Sequence, residues 1–228
     1  MKLPTCIQSI TLALVLTATI PTLVSASEQP PDIPIILADM QQHTQEMIDA
    51  LLIKNATVTA LRFQQIKADV KQLRQKMNAG PYNERRSREL LMSYSWIRVI
   101  GIEVHDKAWI EAAVAANQLS AMLMEATEFP TLIHRDVAWL YYLGREVELL
   151  TLENPKANAE LLDVRLITLE NTWNRVRKEL IKNFKNKPLV EQGNVLLTSL
   201  KHQPKQPPQL IISAKKLLLF IDQIRKKI

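Results

Sequence analysis

Apolar residues recur at steps of three and four through most of this chain, and no stretch alternates with period two. Steps of three and four lay one apolar stripe along an α-helix, whereas alternation would mark a half-buried strand. The pattern predicts an all-α fold. From residue 34 to residue 78 the recurring positions are Ile36, Met40, His43, Met47, Lys54, Val58, Leu61, Ile66, Val70, Leu73 and Met77. The β-branched run Thr57-Val58-Thr59 is the one place where this helix is expected to be irregular. Asn78-Ala79-Gly80-Pro81 signals a turn. A second long helix is expected over 84–128, with Leu90, Tyr94, Ile97, Val104, Ala108 and Met122 inward. At 1.5 Å per residue each would be about 65 Å long, and a short turn between them makes an antiparallel hairpin.

Prolines cut the rest of the chain more finely. Ile133, Val137, Leu140, Gly144 and Val147 define one helix, and Leu162, Leu166, Leu169, Trp173, Val176 and Leu180 define the next. Leu189, Gly193, Leu196 and Leu200 outline a short one. Leu210, Ala214, Leu217, Ile221, Ile224 and Ile228 outline the last. The alternating four-three step is the seam of left-handed helix packing. The expected architecture is an antiparallel helical bundle over 34–228: a long N-terminal helical hairpin followed by about four shorter helices. Two sub-bundles, 34–129 and 130–228, joined near Pro130, fit the same lengths.

The first 26 residues read differently. Lys2 gives a positive start, residues 7–20 are almost wholly apolar, Pro21 breaks the run, and Val24-Ser25-Ala26 offers a peptidase site. This is the layout of a signal peptide cleaved after Ala26. Residues 27–33, with Pro30 and Pro31, then form an extended lead-in. The alternative is that residues 7–26 stay as a membrane anchor. The expected address is the periplasm or the exterior.

Composition narrows the chemistry. The chain has four glycines, few for the turns of a β-domain. Its one cysteine, Cys6, lies in the leader, so the mature protein has no disulfide, thiol nucleophile or thiolate metal site. The net charge of +6 is unevenly placed. Residues 27–173 carry 15 Lys or Arg against 20 acids, and residues 174–228 carry 13 against 3. A basic C-terminal part outside the cytoplasm suits a protein partner or an anionic envelope surface. Nucleic acid is not expected there. The residues expected to meet such a partner are Lys178, Lys182 and Lys185, read as one helix face, with Lys215, Lys216, Arg225, Lys226 and Lys227.

Three clusters invite a chemical reading. Met40, His43 and Met47 share a helix face and offer thioether and imidazole ligands, suited to copper or to b-type haem. They support the alternative function of a periplasmic metal- or haem-binding and sensing bundle. Their plainer reading is core packing. Glu103, His105 and Asp106, and again His134, Arg135 and Asp136, pair a base with a carboxylate, but no nucleophile stands at a defined spacing. Arg145, Glu146 and Glu148 lie beside Trp139, Tyr141 and Tyr142, either as a pocket or as the cap of a core. No catalytic constellation, phosphate loop or metalloprotease motif is present. The expected function is that of an exported, non-catalytic interaction bundle.

Overall fold

A computed structural model describes residues 32–202 and 207–228, and every regular element among them is helical. The leader and most of the lead-in, residues 1–31, lie outside the described residues. Eight helices occur among the described residues: α1 (Ile33–Leu52), α2 (Ala56–Ala79), α3 (Glu84–His105), α4 (Trp109–Ala126), α5 (Leu132–Glu153), α6 (Ala159–Lys182), α7 (Lys187–His202) and α8 (Pro207–Arg225). None is long and apolar enough to cross a membrane.

The sequence pattern runs α1 into α2 and α3 into α4, but the structure breaks both. At the first break Lys54 takes a left-handed φ of 56°. Its N–H donates to Leu51 O at 3.0 Å, and Asn55 N–H donates to Ala50 O at 2.8 Å. This paired closure is a Schellman motif, which normally places glycine at the left-handed position. Asn55 then caps α2 by accepting from Val58 N–H at 3.1 Å. The second break repeats the motif, with Lys107 at φ 58° and Ala108 N–H donating to Glu103 O at 2.9 Å. The two long helices of the expected hairpin therefore each fold back on themselves. α1 packs along α2, α3 packs along α4, and α2 meets α3 only briefly. The irregularity expected at Thr57–Thr59 falls just before them, at Ile53–Asn55. The lead-in also ends one residue early, because Ile33 is already helical.

From α5 onward the expected seams hold closely. Leu162, Leu166, Leu169, Trp173, Val176 and Leu180 are all buried on α6, and Leu210, Ala214, Leu217, Ile221 and Ile224 on α8. On α7 Gly193 and Leu200 of the expected seam are buried, but Val190 and Leu197 are buried in place of Leu189 and Leu196, which are only partly covered. A Cβ at Gly193 would stand 2.2 Å from the Trp173 ring, so α7 turns its glycine to that ring.

Buried side chains form two apolar clusters. One joins α1–α4, where Ala112, Ala113, Ala115 and Ala116 let neighbours approach α4 closely. The other joins the end of α4 to α5–α8. α5 lies against α4, α6 and α8, and Leu149 carries it into the first cluster as well.

A left-handed lysine costs roughly 1 kcal/mol more than a glycine in the same conformation. Lys54→Gly and Lys107→Gly should each stabilise the protein by up to about 1 kcal/mol, less the added freedom of the unfolded glycine chain. Chemical denaturation of each variant reads this directly. A clear loss of stability in both would mean that the chain is helical through these positions.

Candidate functional site

α5 is the most enclosed helix, yet it carries Asp136, Arg145, Glu146 and Glu148, all buried. A charge removed from water needs a partner, and each has one on a neighbouring turn or helix. Tyr141, Arg145 and Glu148 recur at steps of four and three, so they share one flank of α5. There Arg145 lies 2.6 Å from Asp49 of α1 and 2.8 Å from Glu148, and it donates to the Tyr141 hydroxyl at 3.3 Å. Burial opposes the charge on Arg145, but Asp49, Tyr141 and Glu148 outweigh it and hold its pKa above the ordinary value. Glu148 is wholly buried, and its second oxygen has Lys215 Nζ of α8 3.8 Å away without a hydrogen bond. A cavity of about 360 Å³ opens above this layer, with Leu52 and Ile53 on one wall and Leu218 and Leu219 on the other.

The opposite flank holds a second layer. Glu146 stands 2.8 Å from Arg165 of α6, and Gln118 of α4 donates to Glu146 at 3.4 Å. Tyr142 donates to Gln118 at 3.4 Å and meets the Trp139 ring edge to face at 5.3 Å. Burial raises the Glu146 pKa, and Arg165 only partly offsets it. Burial also pushes the Tyr142 hydroxyl up, with the Glu146 charge adding to the effect. Ten residues before Glu146 on α5, Asp136 accepts two hydrogen bonds from Arg175 at 2.9 and 3.0 Å. The group read from sequence as pocket or core cap is thus two ion-pair layers joining α1, α4, α6 and α8 to α5.

The same contacts fix the helix directions. Arg175, near the end of α6, meets Asp136 near the start of α5, and Arg225, at the end of α8, lies 4.2 Å over the Tyr141 ring. Both C-termini therefore come to the N-terminal end of α5. This brings Lys178, Lys182, Lys226 and Lys227 to one end of the bundle, all exposed and without an ion pair among the described residues. Lys185 reaches that end too, but not on the helix face read from sequence. α6 stops at Lys182, and Lys185 sits in the turn beyond at φ 49°. Arg225 is turned inward, held by Tyr141 and Asp222, and Lys215, though exposed, stands 3.8 Å from the buried Glu148. Lys216 is exposed but lies about 15 Å back along α8, ten residues before Lys226.

Met40 and Met47 have no exposed surface and pack in the first apolar cluster with Ile36, Leu37 and Ile48. His43 lies on the flank of that face, one-fifth exposed, with Nδ1 2.7 Å from Asp69 of α2. Burial raises the Asp69 pKa against the pull of His43. Among the described residues no three His, Cys, Asp or Glu side chains gather as a metal site would require. His134 contacts Thr131 Oγ1 at 2.7 Å, while its sequence neighbour Asp136 serves Arg175. His105 and Asp106 end α3 in the open.

Removing Arg145 would leave Glu148 buried beside a distant lysine, so Arg145→Met should cost about 3–5 kcal/mol, and pairing it with Glu148→Leu should recover most of that. Urea unfolding of the single and double variants tests this, and a mild single variant would show that the layer is dispensable. The Glu146 layer should appear in the pH dependence. An acid whose folded pKa is raised binds its proton more tightly when folded, so stability falls as pH rises from the ordinary glutamate value through the raised one. Glu146→Gln should flatten that slope in thermal melts across the window, and an unchanged slope would assign it to other groups. The chain matches no family model, no curated protein and no solved structure.

Proposed function

We propose that the mature chain works outside the cytoplasm, in the periplasm or secreted, as a non-catalytic helical interaction module. Its basic end meets an anionic envelope surface or an acidic protein. The observation that carries this reading is the convergence of Lys178, Lys182, Lys185, Lys226 and Lys227 at one end, exposed and without ion pairs among the described residues. Exposed cations elsewhere, such as Lys71 and Arg74 on α2, are also without an ion pair among the described residues, so the reading rests on the clustering of these lysines at one end rather than on their being unpaired. Cations in the last turn of a helix also offset its dipole, which accounts structurally for Lys182 and for the residues following Arg225. It does not account for Lys178, a full turn earlier, or for Lys185, outside the helix. Non-catalytic action is supported by the use made of the buried charges, which hold helices to one another.

The test is binding of the mature protein to phosphatidylglycerol vesicles and to neutral phosphatidylcholine vesicles at low and high salt. Each lysine near an anionic surface contributes about 1 kcal/mol, and added salt shortens the roughly 10 Å screening length at 0.1 M. Binding should favour the anionic vesicles, weaken with salt, and fall at least about tenfold on combined reversal of Lys178, Lys182, Lys226 and Lys227 to glutamate. Salt-sensitive capture of an acidic envelope protein without vesicle binding would make that protein the partner. Indifference to both salt and reversal would overturn the reading.

A further inference from the structure

α4 and α6 do not pack against one another. Between them, floored by α5 and with Arg85 of α3 at its edge, a cleft of about 700 Å³ remains, lined by Arg135, Arg165, Arg175, Trp139 and Tyr142 among others. Its volume lies in the range of small-molecule sites. Two of its arginines are held in place from behind, Arg165 by Glu146 at 2.8 Å and Arg175 by Asp136 through two hydrogen bonds. The other two, Arg85 at the start of α3 and Arg135 at the start of α5, are exposed and have no ion-pair partner among the described residues. Two acids also line the cleft. Asp136 is committed to Arg175, which leaves Glu125 as the one other acid of the lining. Trp139 is half-buried in the wall, braced edge to face against Tyr142.

We propose that this cleft binds a small organic oxyanion, a carboxylate or phosphate carried on a flat ring. A planar guanidinium fork matches either group with two parallel hydrogen bonds. The indole supplies an apolar face for the ring at little entropic cost. Arg85 and Arg135 meet the anion, and Trp139 meets the ring. The lysines of the proposed basic end do not line the cleft, although Lys178 follows Arg175 by one turn of α6.

The test titrates the mature protein with benzoate, phenyl phosphate and the neutral benzyl alcohol, following the Trp139 indole N–H resonance, assigned with Trp139→Phe. At least one oxyanion should bind saturably and shift that resonance, and benzyl alcohol should not. The tighter of the two oxyanions identifies the group. Arg85→Gln combined with Arg135→Gln should weaken binding about tenfold, with the melting transition kept near wild type. Lys226→Glu with Lys227→Glu should leave binding unchanged, which separates this site from the vesicle reading. Equal binding of benzyl alcohol, no saturable binding of either oxyanion, or wild-type affinity in the arginine double variant would each overturn the proposal. If the double variant misfolds, the comparison of oxyanions with benzyl alcohol on the wild type still decides it.

Discussion

Arg145 and the pairs it makes constrain the rest of the bundle. An arginine does not give up its proton in a protein, so burying it in the most enclosed helix requires carboxylates within reach. Glu148 comes from the same helix, one turn on, and is itself fully buried. Asp49 must come from outside, which brings the end of α1 to the middle of α5. Glu148 in turn draws Lys215, and with it the N-terminal half of α8. On the other flank Glu146 orders Arg165 and Gln118 in the same way. The apolar clusters supply most of the favourable burial, while these few pairs determine which helix lies where.

Helix content was legible because apolar spacing reports one helical face whatever it packs against, so the stripes of α6 and α8 could be read nearly residue by residue. The breaks at Lys54 and Lys107 were not. Both fall where the chain offers neither glycine nor proline, and a left-handed lysine has no sequence signature. Asn55 was the one available sign, a residue suited to capping placed three before Val58. The second break has no such marker, since Ala108 at the cap position makes no side-chain bond. On α7, leucines at 189 and 196 looked like seam positions. Val190 and Leu197 are buried in their place, while Gly193 of the same seam meets the Trp173 ring twenty positions away.

The basic end was legible as charge but not as geometry. Composition showed that the last quarter of the chain is cationic, but not which of its cations have an acid or a ring opposite them. Lys215 and Arg225 looked as free as their neighbours until Glu148 and Tyr141 came opposite them. The cleft was less visible still. Its arginines come from α3, α5 and α6, separated by up to ninety residues, and only the fold assembles them. Trp139 and Tyr142 were noticed as an aromatic group, but nothing local distinguished a cleft wall from a core cap.

The polar layers have a consequence for register. Seams of leucine, isoleucine and alanine repeat every three or four residues, so helices packed on them alone could slide by one turn and find a similar surface. Such a slip, about 5.4 Å, would carry Asp49 away from Arg145 and Lys215 from Glu148, leaving the buried Arg145 and Glu148 of α5 with only each other. The apolar contacts would lose far less. In a bundle with such repetitive faces, a few buried ion pairs act as a detent, holding the two clusters at one setting along α5.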